Sequence, residues 1–116
     1  MLLIALALVS QTTAPERPVG ASANYQGCIR RAGSMIDHRD CLAEEVSRGW
    51  RDVENAALDS GVGLESQGLW RQLVELDCQG EYDLAGGSNS APMRRAVCVI
   101  EMQAERTRYL LRRGNW

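Results

Sequence analysis

A chain of 116 residues is long enough for one domain and too short for two. Its 13 basic residues, all Arg, face 15 acids for a net charge of −2, which argues against a general nucleic-acid grip. A hydrophobic fraction of 45% excludes a disordered tail, and with no Phe the core must come from aliphatic side chains plus Trp50, Trp70 and Trp116.

Residues 2–9 form an unbroken apolar run followed by Ser10-Gln11-Thr12-Thr13-Ala14. A stable membrane span needs roughly 20 apolar residues, so this run is too short to anchor the chain. An export signal needs only a short apolar centre with small residues before the cut. Residues 1–14 are therefore expected to be an export signal, with Thr12-Thr13-Ala14 or Ala21-Ser22-Ala23 at the cleavage point. The mature protein is expected to be secreted or periplasmic, with no stable membrane span. Pro15, Pro18, Gly20 and Ser22 mark residues 15–24 as a flexible lead-in. Residues 25–116 then make a single helical domain, small enough to gain from covalent staples.

The cysteines stand at 28, 41, 78 and 98, with no Cys-x-x-Cys and His38 as the sole histidine. That spacing makes a zinc site a poor expectation, and no metal or cofactor is foreseen. In an oxidising compartment such thiols pair. Of the possible pairings, Cys28–Cys41 and Cys78–Cys98 are expected, because each bridge then closes one short segment. Loops of that size are worth about 3 kcal/mol each in the chain-entropy model.

Beyond Ser34 the apolar residues recur at helical spacing. Leu42, Val46, Trp50, Val53 and Ala57 line one face of a first helix. Ser34 suits its N-cap, Asp37 and Asp40 suit its early turns, and Asp59-Ser60-Gly61 with Gly63 end it. Gly49 inside it costs about 1 kcal/mol relative to Ala, which points to close packing there. A second helix is expected from about Leu64 to Tyr82, with Leu69, Leu73 and Leu76 as its buried stripe and Trp70 and Val74 widening it. Gly86-Gly87-Ser88-Asn89-Ser90 breaks the chain. A third helix follows, with Ser90 as cap, Pro92 in the first turn, and Met93, Val97, Ile100, Ala104, Thr107 and Leu111 on its inner face. Few positions suit a strand. The expected fold is all-α, a small three-helix antiparallel bundle stapled by both bridges. If the last two helices form an antiparallel hairpin, Cys78–Cys98 pins their loop at its base.

In the second half, Gln67 and Trp70, then Cys78, Gly86-Gly87-Ser88, Pro92, Cys98, Arg106 and Leu110 resemble the LprI N-terminal domain family of lysozyme-inhibitor-like proteins. The resemblance covers roughly residues 65 to 111. Two departures stand out: Val74-Glu75 where the family usually carries Arg-Asp, and Gln103 where it tends to carry Thr. The resemblance implies an exported, disulfide-bonded helical domain without enzymatic activity. It also implies structural roles for Gln67, Trp70, Pro92, Arg106 and Leu110, and inhibition of lysozyme.

Charge is unevenly placed. From Arg94 to Arg113 six Arg oppose Glu101 and Glu105, a net of +4, whereas Glu75, Asp77, Glu81 and Asp83 crowd the stretch before the Gly-Gly-Ser loop. An acidic prong beside a protruding loop would be steered towards a strongly basic lysozyme. Glu81, Asp83, Gly86, Gly87, Ser88 and Asn89 are thus the candidate partner-binding residues, acting by occlusion of the lysozyme cleft. The alternative is a cell-envelope interaction or scaffolding module using the Arg face of the third helix (Arg94, Arg95, Arg108, Arg112, Arg113), with Glu105 as a local partner for Arg108. No catalytic residues are expected: His38 has no nucleophile near it in sequence, and adjacent Glu44 and Glu45 point to different sides of a helix. Trp50 and Trp70 are read as packing residues. A monomer is expected.

Overall fold

The computed structural model describes residues 16–114, so the export signal expected at 1–14, together with Pro15, Asn115 and Trp116, lies outside the described residues. Within them the chain forms four helices: α1 (Ala23–Arg31), α2 (Met35–Ser60), α3 (Leu64–Leu84) and α4 (Ala91–Arg113). No strand occurs among the described residues. No helix among them is long and apolar enough to cross a membrane.

The start and stop signals explain most boundaries. The Ser34 hydroxyl accepts the Asp37 N–H at 3.1 Å, and Asp37 itself accepts the Gly33 N–H, so α2 begins where its cap stands. It ends at Gly61, whose φ of 68° is the left-handed conformation that glycine adopts without a Cβ penalty. Pro92 sits in the first turn of α4, where its missing N–H removes no helix bond. Ser90 does not cap that helix. Its backbone is already helical, and its hydroxyl pairs with Ser88 Oγ at 2.8 Å instead.

α2, α3 and α4 run alternately up, down and up. α4 is the shared element, with α2 packed along one side and α3 along the other, while α1 packs on α2. One core cluster joins Tyr25, Cys41, Leu42 and Ile100; a second joins Val53, Ala56 and Leu110; a third joins Val74, Cys78 and Val99. Each holds two or three elements together, so no helix buries its stripe alone. Trp50 and Trp70 meet edge to face at 5.9 Å between ring centroids, linking α2 to α3. Both disulfides have the local pairing: Cys28–Cys41 joins α1 to α2, and Cys78–Cys98 joins α3 to α4.

Several expectations are corrected. The bundle has a fourth helix, α1, which overlaps the expected lead-in only at Ala23 and Asn24 and otherwise occupies the start of the domain, ahead of the first helix expected from Ser34. Tyr25, Cys28 and Ile29 recur at helical spacing and pack on α2, while Ser22 caps the helix by accepting the Tyr25 N–H at 3.2 Å. Residues 16–22, read as a flexible lead-in, lie against the bundle. Pro18 is buried, Val19 N–H donates to Glu101 at 2.8 Å, and Ser22 donates to Glu45 from both its backbone and its hydroxyl.

The α3 stripe is also different. Leu69, Leu73 and Leu76 are exposed; the face that packs on α4 and α2 carries Gln67, Trp70, Val74, Cys78 and Glu81. The physical reason is the disulfide. Cys78 must face Cys98, and the residues one helical turn away on the same face follow it inward. In α4 the buried residues are Ala91, Val99, Ile100, Gln103 and Leu110, so Leu111 points outward.

Candidate interaction site

The connection between α3 and α4 is a short tip held by four separate restraints. Cys78–Cys98 joins the helices with Cα atoms 5.4 Å apart. Nearer the tip, Arg94 Nε donates to Glu81 at 2.7 Å, and the Ser88 and Ser90 hydroxyls bond to each other at 2.8 Å. From outside the hairpin, Arg39 of α2 donates to the Asn89 carbonyl at 3.0 Å. That last brace spans 50 residues of chain and leaves no local pattern to find it by.

Gly86, Gly87, Ser88 and Asn89 are all exposed on this tip. Gly86 and Gly87 have φ of 61° and 77°, a region L side chains rarely adopt, and a Cβ at either would meet nothing within 4 Å. Glycine is therefore required here by backbone conformation and not by crowding. The tip offers bare backbone, a serine hydroxyl pair and an asparagine amide.

The acids before the tip divide into two kinds. Glu75 pairs with Arg95 at 3.0 Å and Glu81 with Arg94 at 2.7 Å, so α4 neutralises half of the expected acidic prong. Asp83 accepts from Gln79 at 3.1 Å, and neither it nor Asp77 makes an ion pair among the described residues. The same pairs break up the Arg face, because Arg94 and Arg95 are spent on α3. Arg108, Arg112 and Arg113 make no ion pair among the described residues, and the Glu105–Arg108 contact expected from the sequence does not form.

A second cluster lies at the opposite end of the α3–α4 pair. Arg106 donates to Gln67 Oε1 through Nε at 3.2 Å and Nη2 at 3.0 Å. Its guanidinium also lies over the Trp70 ring at 5.5 Å and the Tyr109 ring at 5.3 Å from the centroids. Burial pushes the Arg106 guanidinium below its ordinary value; Tyr109 opposes that shift and the charge of Arg113 adds to it. Trp70 in turn packs on the cluster that contains fully buried Leu110. Gln67, Trp70, Arg106 and Leu110 thus converge, while Pro92 stands apart at the start of α4.

Two polar residues in the core had no functional expectation. Glu45 is buried and accepts the Ser22 N–H at 2.8 Å, the Ser22 hydroxyl at 2.7 Å and Arg48 at 2.9 Å. Gln103 is buried with Nε2 donating to the Val46 carbonyl at 3.0 Å, and its Oε1 has no hydrogen-bond donor. The open face of Gly49 receives that amide. No group of three or more His, Cys, Asp or Glu able to hold a metal occurs among the described residues.

No protein-family model, curated protein or solved structure matches this chain.

Proposed function

We propose that this protein is a secreted or periplasmic, non-enzymatic binding domain that presents the α3–α4 tip to a protein partner, with a lysozyme as the partner class. The observation that carries the reading is the restraint of an exposed glycine tip from several directions at once. Cys78–Cys98 and Glu81–Arg94 hold its stem, and Arg39 holds its crown. A braced loop loses less conformational entropy on binding than a mobile one.

The lysozyme assignment rests on the resemblance of residues 65–111 to the LprI N-terminal domain family. Disulfide bonding fits an oxidising compartment. On this reading Gly86 and Gly87 allow close backbone approach to the polysaccharide groove, while Ser88 and Asn89 bond to polar groups lining it. Glu81 serves as a brace for the tip, and Asp83 is the acid nearest to it that is free of an arginine. Inhibition is by occlusion, with no bond made or broken by this chain.

The test is lysis of cell walls by lysozymes of several classes in the presence of the oxidised protein. Slowing at micromolar concentration, lost on Asn89→Ala with Ser88→Ala but retained on Arg108→Gln with Arg113→Gln, supports the tip. No slowing with any class removes the lysozyme assignment. The inverse pattern across the variants transfers the contact to the Arg face.

A further inference from the structure

The α3–α4 tip has an apolar neighbour on another helix. Because α2, α3 and α4 alternate in direction, the start of α2, the end of α3 and the start of α4 share one end of the bundle. There Arg39 of α2 donates to the Asn89 carbonyl at 3.0 Å. Met35 and Ile36 stand four and three residues before Arg39, so they share its side of α2 and lie one turn nearer the end of the bundle. They are 59% and 69% exposed, and neither packs into the three core clusters.

Nothing in the helix itself calls for apolar side chains at these two positions. They open α2 directly after its cap, where the positive end of the helix favours acids. The cap works through the Ser34 hydroxyl and the Asp37 carboxylate, without either of them. Isoleucine is moreover stiff at its branched Cβ, which lowers its helix propensity.

We propose that Met35 and Ile36 are the apolar anchor of the surface that the tip presents, so that one protein partner covers the tip and the first turn of α2 together. This deepens the reading of the tip as a lysozyme-binding site and rests on it. Two arguments select the same partner for both parts. The first is continuity, since the Arg39 bond ties the tip's crown to the turn that carries the pair. A specific interface takes about 800 Å² from each partner, more than Gly86, Gly87, Ser88 and Asn89 can offer alone, so a partner seated on the tip extends over its neighbours.

The second is chemistry. The four tip residues supply backbone, a hydroxyl and an amide but no apolar side chain. Affinity in protein interfaces is concentrated in a few desolvated anchors ringed by polar contacts. Met35 and Ile36 provide such an anchor beside the polar tip, and methionine is among the residues enriched at interfaces. The partner this fits carries an apolar hollow next to the polar groove that receives Ser88 and Asn89.

The test is slowed cell-wall lysis, measured with lysozymes of several classes and the oxidised full chain. Ile36→Asp is expected to raise the half-inhibitory concentration at least about tenfold. An acid in the first turn suits the helix, so the melting temperature should not fall. The added negative charge would draw a basic lysozyme closer, so the loss reports the apolar contact. Ile36→Leu should retain inhibition, as should Leu64→Asp at the far end of the bundle, where the native leucine is 93% exposed. A native protein that slows no lysozyme removes the tip reading and this proposal with it. Inhibition lost on Ser88→Ala with Asn89→Ala but kept on Ile36→Asp overturns the proposal alone. So does the reverse pattern, or an equal loss in Leu64→Asp. Binding to lipid vesicles or a dimer mass that Ile36→Asp abolishes also overturns it, since either gives the pair a different occupant.

Discussion

Gly49→Ala isolates the packing of α2 on α4. In an unpacked helix the change is favourable by about 1 kcal/mol, because alanine is the better helix former. Here the new Cβ would overlap Gln103 Oε1 and lie 2.5 Å from its Cδ. Gln103 cannot retreat without giving up the 3.0 Å bond from Nε2 to the Val46 carbonyl, and it is only 2% exposed. Overpacking of a filled core costs about 1–3 kcal/mol and loss of the hydrogen bond about 1 kcal/mol. Set against the propensity gain, the net expectation is a destabilisation of about 2 kcal/mol. For a domain of this size that lowers the melting temperature by roughly 8–15 °C.

The assay is urea unfolding followed by circular dichroism with both disulfides intact. Gln103→Ala removes the obstruction, so Gly49→Ala made on that background should instead stabilise, by up to about 1 kcal/mol. The coupling between the sites should then be about 2–3 kcal/mol, as for residues that share a packing site. A single Gly49→Ala variant as stable as the native protein would refute the reasoning, because it would mean that the amide does not occupy the glycine face.

Glu45→Gln is expected to cost about 2 kcal/mol, since a buried carboxylate that accepts from Ser22 and Arg48 is exchanged for an amide unable to satisfy the same donors. Urea unfolding gives the number, and accelerated amide exchange confined to α1 would show that the cap is what was lost. Alkaline pH supplies the other test. Burial, with Glu45 adding to it, raises Tyr25 above its ordinary value of 10.0. The unfolded chain therefore ionises first: the stabilisation from neutral Tyr25 is complete below about pH 10 and is lost as the pH rises through the folded-state value. Melting temperatures between pH 9 and 11 should fall more steeply for the native protein than for Tyr25→Phe, and equal slopes would remove the assignment.

Much of the local structure is written in short patterns. Ser34, Gly61 and Pro92 mark helix boundaries through chemistry that acts within one turn, and the spacing of Leu42, Val46 and Val53 sets the inner face of α2. Closure of Cys28–Cys41 and Cys78–Cys98 follows from the economy of short loops, and glycine at 86 and 87 follows from a chain reversal that needs positive φ. The candidate tip was visible for the same reason, since its residues are contiguous.

Only the tertiary structure decided which face of α3 turns inward. Leu69, Leu73 and Leu76 have the stronger hydrophobic signal, but a covalent bond at Cys78 fixes the rotation of the helix about its axis and leaves them outside. It also decided that Glu75 and Glu81 face Arg95 and Arg94, that Arg39 holds the tip, and that Gln103 fills the gap at Gly49. These are contacts between segments distant in the chain. Periodicity reports how residues are arranged around one helix axis, and carries no information about how far that axis is turned relative to its neighbour.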